Sequence, residues 1–426
     1  MRASDGTHGP SRCSTEGALR LTIARSLGAM GENRTVRPSV TPFHSQLPVA
    51  VAFGDGVIAE LPGALAALGA TSALVVVEEP VAAHAEVLAA LAAAEGAGAR
   101  LERVVKGPGE PTFALADELA ALVRDGGLDV VVGIGGGSAL DVAKAARIAA
   151  DQGGAVADYA EGGRTPEPPR KGLVLCPTTS GTGSEVSGAS VLTDTARDRK
   201  IGFGHPNMRA QHALVDPVLT HGLPPGPTAH SGVDAMAQAI GACTVANSSP
   251  LSVAFGLEAC HHVAGSLLEA IENGSNAEAR RRLAVASLTA GLAMNLSDCA
   301  ADHALGQALG SVKHLPHGLT IGLVVAETMD LSRSACADRL ERVADALGEP
   351  ADGTSDGSRA VRAVRRVLAA AGIPTLGDVG VGEDDLPALV ESAMGEQSYN
   401  LDVDCHDWTA AEVEQAYRAG LALEVR

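Results

Sequence analysis

Asp234 and Gln238 stand four positions apart in SGVDAMAQAI, residues 231–240. On a helix that spacing stacks a carboxylate and an amide on one face. An aspartate with a histidine at the same interval would be half of a metal site. With glutamine, three readings are open: a metal site with an unusual ligand, a site without its metal, or the polar side of an ordinary helix. Downstream, DCAADHALGQALGSVKHLPHGLTIGL carries His303, Gln307, His314 and His317. Neutral imidazole together with carboxylate suits Zn²⁺ or Fe²⁺, although a single histidine is more often a surface or satisfied core residue. His261 and His262 occupy neighbouring helix positions that face different ways, so that pair reads as structural.

Two glycine loops offer a second kind of chemistry. VVVGIGGGSALDVAK runs from a strand through Gly135, Gly136, Gly137 and Ser138 into a helix that carries Asp141. Bare backbone and a helix N-terminus form a cradle for pyrophosphate. The spacing departs from a strict G-x-G-x-x-G, because Ser138 takes the last position. CPTTSGTGSEVS also follows a strand and packs Thr178, Thr179, Ser180, Thr182 and Ser184 around Gly181 and Gly183. Hydroxyls and open amides suit a polyhydroxylated, phosphorylated ligand. Either loop alone also reads as a simple turn. The strand end VVVEEP places Glu78 and Glu79 where a carboxylate can bind a ribose diol and repel a 2′-phosphate, or can form an acidic surface turn.

The elements that must position these residues alternate at first. LPVAVAFG, SALVVVEEP, ARLERVV, LDVVVGIGGG and GLVLCPTT read as strands, with Ala/Leu-rich helices between them. That alternation predicts a Rossmann-like, doubly wound, mainly parallel sheet. After LVDPVLTHGLPP the strand signals stop, and long helical segments follow, among them GPTAHSGVDAMAQAIGACTVA and PLSVAFGLEACHHVAGSLLEAIE. The fold class is therefore α/β plus all-α. We expect a flexible extension over residues 1–44, an α/β nucleotide-binding domain over 45–220 and an all-helical metal and substrate domain over 221–426. The cleft between the last two is the natural ligand site.

Composition narrows the function classes. The 426 residues are 46% hydrophobic but only 2% aromatic, so Ala, Leu and Val must build the core. A net charge of −19 repels phosphate backbones and anionic lipid, arguing against nucleic-acid or membrane partners. No apolar run reaches the roughly 18–20 residues of a membrane span. Seven scattered cysteines without a C-x-x-C fit a reducing, cytoplasmic compartment.

Taken in order, FGDGVIAELP, GGGSALDVAK, PTTSGTGSEVS, LVDPVLTHGLPP, GVDAMAQAI, LPHG and GIPTLGDVGVGEDDLPALV resemble the iron-containing (group III) alcohol dehydrogenase family. That family includes maleylacetate reductases and lies in the dehydroquinate synthase-like superfamily. The resemblance covers residues 47–424, and PTTSGTGSE separates the chain from dehydroquinate synthases. It implies an NAD(P)-dependent oxidoreductase acting on CH–OH groups, with hydride transfer between nicotinamide C4 and a small aldehyde, ketone or alcohol, in a homodimer.

The resemblance also implies residue roles. It puts Gly135, Gly136, Gly137 and Ser138 on the pyrophosphate, with Asp141 in the same segment, and Thr178, Thr179 and Thr182 along the nucleotide. Glu79 falls at an acidic position near the adenosine ribose, which favours NAD over NADP, and Lys200 at a cofactor-proximal lysine. The family's metal ligands, one Asp and three His, fall on Asp234, Gln238, His303 and His317, and a further substrate-side His falls on Gln307. Two histidines of that centre are thus glutamine here. Asp plus two His remains a recognised set for Fe²⁺ and catalytic Zn²⁺, with Gln238 oxygen or water as fourth ligand. The alternatives are a metal-independent reductase using Asp234, His303 and His317 as hydrogen-bonding groups, and a lyase or cyclase using NAD transiently. Gln307 cannot shuttle a proton, which leaves His314, the cofactor ribose or water for that task.

Overall fold

The computed structural model describes residues 45–423 except Pro48 and Asp198. The extension expected over residues 1–44 lies outside the described residues. The described residues fall in one compact unit.

Six parallel strands make the main sheet: β1 (Ala50–Phe53), β2 (Ser72–Glu78), β3 (Arg100–Lys106), β4 (Val130–Gly135), β5 (Gly172–Pro177) and, after a hairpin, β8 (His212–Val215). Their order is β1-β8-β5-β4-β2-β3. The hairpin pairs β6 (Ala189–Asp194) with β7 (Arg199–Gly204), antiparallel. Helices α1 (Leu61–Ala67), α2 (Ala85–Gly96), α3 (Phe113–Asp125), α4 (Gly137–Gln152) and the short α5 (Val156–Ala160) lie between these strands in the chain. Because β-strand side chains alternate between faces, β2 splits its own. Leu74 and Val76 join α3 and α4 in one buried layer, whereas Ala73, Val75 and Val77 join α1 and α2 in the other. A strand buried on both faces must be apolar at nearly every position, as SALVVVE is.

The chain reverses direction across the sheet between β2 and β4. From β2 it passes outward to β3, then returns over β2 to β4 on the other side. In an open parallel sheet, the crevice at the strand C-termini beside such a reversal is where ligands bind. Glu78 ends β2 and Gly135 ends β4, so the first glycine loop sits at that point.

After β8 the chain is helical: α6 (Pro225–Thr244), α7 (Pro250–Ala264), α8 (Leu267–Glu272), α9 (Ala277–Asn295), α10 (Ala301–Lys313), α11 (His317–Ser332), α12 (Ala337–Ala346), α13 (Ser358–Ala370), α14 (Leu386–Met394), α15 (Tyr399–Asp402) and α16 (Ala410–Leu421). They share one continuous core rich in Ala, Leu and Val. Helix α6 is buried along almost its whole length from Thr228, so its polar side chains are interior groups and not a solvated face.

The α/β plus all-α class expected from the sequence is the architecture observed, with two differences. Strands β6, β7 and β8 had no clear sequence signal, because charged or polar residues interrupt or bound their apolar runs. The expected single helix over residues 250–272 is two, broken at Gly265 and Ser266. No helix among the described residues is long and apolar enough to cross a membrane.

The second glycine loop joins the strand-rich part to the helices by backbone contact. A Cβ on Gly183 would lie 2.4 Å from the Cα of Gly291 on α9, and one on Gly291 would lie 2.7 Å from the Cα of Gly183. Gly183 also has φ +57°, a conformation that disfavours a side chain. Gly291→Ala should therefore destabilise the protein by about 1–3 kcal/mol through overpacking. Gly63→Ala, in an open stretch of α1, should stabilise it by about 0.5–1 kcal/mol. Denaturant unfolding of both variants checks the pair of signs.

Candidate active site

The sequence places Asp234 and Gln238 one turn apart on α6, and both are buried. His303 lies in the first turn of α10, whose N-terminus is fixed by Asp404, the acceptor of the Ala301 N–H at 2.8 Å. Asp302 accepts hydrogen bonds from the His303 backbone N–H at 2.8 Å and pairs with its Nδ1 at 3.0 Å. That leaves Nε2 facing Asp234 Oδ1 at 3.6 Å. A carboxylate behind an imidazole fixes ring orientation and raises its basicity, an arrangement typical of metal-binding histidines.

His317 opens α11, just after Pro316. The approach of α11 to α6 requires Gly318, since a Cβ there would lie 2.3 Å from the His230 carbonyl oxygen. The result puts His317 Nε2 also 3.6 Å from Asp234 Oδ1, with the two imidazole centroids 5.6 Å apart. One ligand atom from each of Asp234, His303 and His317 falls within 4.8 Å of the others. For an ion held tetrahedrally at about 2.0–2.1 Å, neighbouring ligand atoms sit about 3.4 Å apart.

The polar atoms of this cluster lack other partners. Asp234 Oδ1, Gln238 Oε1 and His303 Nε2 are all buried and make no hydrogen bond. Such groups carry a desolvation penalty unless something satisfies them. Burial pushes the Asp234 carboxyl up, but His317, His303 and the Gln238 amide outweigh it and hold its pKa below the usual carboxylate value. Asp234 is therefore ionised at neutral pH. An anionic oxygen, an amide oxygen and two imidazole nitrogens fit a divalent cation.

Gln307 lies one turn beyond His303 on the same face of α10 and is half-buried. His314 ends α10 in the left-handed conformation, φ 53°, and is exposed. Its backbone turns the chain from α10 towards His317. His261 and His262 lie together on α7, away from the cluster in sequence, with His262 paired to Glu258.

The two glycine loops meet face to face. Positions where Cβ atoms would stand on Gly136 and Gly137 lie 3.3 Å from Thr179 Cγ2 and 2.8 Å from Thr182 Cγ2. Gly136 caps α4 without a side-chain cap, leaving the first N–H groups of the helix directed out of it. Asp141 is engaged in joining the loops: it accepts from Ser184 Oγ at 2.7 Å and Val191 N at 2.9 Å, and pairs with buried Lys144 at 3.0 Å. Thr178 is buried, and its N–H donates to Gly135 O. Lys200, on β7, pairs with Glu110 at 2.9 Å and lies 3.9 Å from the Cβ position of Gly310 on α10. The charges of Lys200 and Asp141 both act on the His317 imidazole, so the loops lie near the cluster.

Glu79, expected near the ribose, starts a 3₁₀ turn and is exposed. Its neighbour Glu78 is the acid at the glycine loop, accepting the Gly136 N–H at 2.8 Å. The sequence offered both; β2 ends at Glu78, and the pleat turns that side chain to β4. Asp302 was also missed. Its signal was its position directly before His303, which becomes meaningful only once Nδ1 is seen to need a partner.

Comparison with known proteins agrees with this geometry. The model of the iron-containing alcohol dehydrogenase family matches residues 48–217, and that of the Fe-containing alcohol dehydrogenase family, C-terminal, matches residues 228–421. Long-chain-alcohol dehydrogenase 1 of Geobacillus thermodenitrificans is 40% identical over 67% of this chain and 73% of its own length. The NAD-dependent methanol dehydrogenase of Bacillus methanolicus is 31% identical over 82% and 92%. The crystal structure of sulfoacetaldehyde reductase from Bifidobacterium kashiwanohense in complex with NAD⁺ superposes with a TM-score of 0.82 at 26% identity, covering 90% of this chain and 100% of that one. The chain belongs to the iron-containing alcohol dehydrogenase family. It is an oxidoreductase acting on CH–OH groups, in a family that uses NAD(H) and a divalent metal.

The contact at Gly318 yields a direct test of how the cluster is assembled. Gly318→Ala should displace His317 from Asp234, costing about 1–3 kcal/mol of stability. A displacement near 1 Å should lower kcat/KM on the order of 10²-fold. Unfolding and steady-state kinetics of one preparation measure both.

Proposed function

We propose that this protein interconverts a small aldehyde or ketone and its alcohol in the cleft between the glycine loops and the Asp234–His303–His317 cluster. The observation that carries this reading is the convergence of three unsatisfied buried polar atoms beside a two-loop cradle. Bound NAD(H) and a divalent cation would supply hydride exchange at nicotinamide C4 and polarisation of the substrate oxygen. The residues would do the rest. The open N–H groups after Gly136 bind pyrophosphate, with Ser138 at the helix start and Thr178, Thr179 and Thr182 shaping the opposite wall. Asp141 and Lys144 hold the two loops in register, and Lys200 closes the cleft against α10.

Asp234, His303 and His317 would hold Fe²⁺ or Zn²⁺, with Gln238 Oε1 as the fourth donor and Asp302 orienting His303. Gln307 has no titratable proton and would orient the substrate oxygen by hydrogen bonding. Proton exchange with solvent would fall to His314, the ribose or water. The six described cysteines are unpaired, which supports a cytoplasmic location, and the edge strand β1, with Val51 and Phe53 exposed, supports a homodimer.

Metal analysis of the purified protein tests the cluster. About one divalent cation per chain is expected, retained on dialysis and lost in Asp234→Ala, and chelation should abolish activity. Full activity of cation-free protein would sink this assignment. It would favour the second reading, prompted by glutamine at positions 238 and 307, in which His303 and His317 polarise the carbonyl as hydrogen-bond donors.

Cofactor choice tests the ribose acid. Wild-type protein should prefer NADH over NADPH by about tenfold or more. Glu78→Ala should erase most of that preference, whereas Glu79→Ala should leave it nearly intact; the opposite ranking would return the role to Glu79.

A further inference from the structure

Glu185, in the loop between β5 and β6, is 2% exposed. Among the described residues its carboxyl takes a hydrogen bond from its own backbone N–H and from no other residue. It lines a small internal cavity with Thr179, Ser180, Asp216, Thr220 and Ser287. Ser180 Oγ, also buried, has no partner. The cavity thus holds two incompletely satisfied polar side chains in the loop that faces the cofactor cradle, and Thr179 belongs to both cavity and cradle wall.

An ionised carboxylate in such a place is expensive, and the ordinary remedy is a proton. The charged groups around it are few. Asp216 shares the cavity, and its carboxylate is already held by the N–H groups of Gly56, Ile58 and Val218. Lys144 is the nearest cation to act on Glu185 from α4, but its ammonium is committed to Asp141, Ser187 Oγ and the Ala189 carbonyl. Helix α9 contributes Ala284 and Ser287, which are uncharged.

We propose that Glu185 is a positioning residue for the cofactor loop, and that NADH binds preferentially to the form in which its carboxyl carries a proton. The proposal rests on the cradle reading given above. Ionised Glu185 puts a negative charge behind the wall on which a doubly anionic pyrophosphate must sit, in a medium that screens it poorly. Protonated Glu185 removes that repulsion. Burial, opposed by its own N–H and by Lys144, raises its pKa to about 7, so the switch falls in the neutral range. The sign follows directly. The folded protein binds this proton more tightly than an exposed glutamate does, and bound NADH holds it more tightly still. Affinity is therefore highest below about pH 7 and falls as pH rises above it.

The test is NADH binding to the full chain, followed by nicotinamide fluorescence from pH 6 to 8.5. In wild-type protein Kd should rise by up to tenfold per pH unit above pH 7. Glu185→Gln, which mimics the neutral acid, should bind NADH as tightly at pH 8.5 as wild type does at pH 6, with no rise in this range. Calorimetry of wild type in two buffers of different ionisation enthalpy should show proton uptake on binding at pH 8, a measurement that needs no variant. A variant retaining the wild-type pH slope, or wild-type binding without proton uptake, overturns the proposal. Failure of wild type to bind NADH at any pH would instead overturn the cradle reading.

Discussion

The contact between Gly183 and Gly291 is the constraint on which the site depends. Two backbones approach so closely there that neither position has room for a Cβ. The loop pinned by that contact has three other faces. Thr179 and Thr182 form one wall against Gly136 and Gly137, and Gly181 rests on Ser231 of α6, one turn before Asp234. Ser184 ties the loop to Asp141 on α4. One short segment therefore sets the distance between the cofactor cradle and the cluster on α6, α10 and α11. Hydride transfer depends on such distances more steeply than on the identity of any single polar contact.

The cluster shows the opposite design from the rest of the core. Buried polar groups elsewhere in the helices, such as Arg280 and Ser252, find partners, while Asp234, Gln238 and His303 are buried with hydrogen-bonding atoms unused. Interiors tolerate such groups where a function repays their desolvation. Gln238 adds to that cost only modestly. An amide oxygen is neutral and can be buried more cheaply than a charge, yet it still offers a lone pair to a cation. Asp302 and Asp404 support the same region from behind, one through His303 and the other through the start of α10.

Much of this was legible in the chain. Strand–helix alternation and the later helix-only texture follow from hydrophobic period, which is local. The glycine loops were legible as a pair, since two glycine-rich loops, one of them also rich in hydroxyls, each follow a strand, although either alone also reads as a turn. Strands β6 to β8 were not: they span the same lengths as β1, β4 and β5, but Ser, Thr, Asp, Arg, Lys and His interrupt or bound their apolar runs. The split between α7 and α8 was hidden because Gly and Ser within an apolar run are compatible with either a continuous or a broken helix.

The sequence by itself determined the fold class, the family, and the set of residues from which a cleft chemistry could be made. Residue type and spacing suffice for these, because they decide which faces must be buried. Tertiary structure alone decided which atoms face each other. It turned Glu78 towards the glycine loop in place of Glu79, and paired Asp302 with His303. It also brought His317 beside Asp234 through the gap left at Gly318, and sealed Glu185 behind the cofactor wall. Each of these outcomes depends on strand register or on the approach of helices distant in sequence, and a one-residue change in either reassigns the partner.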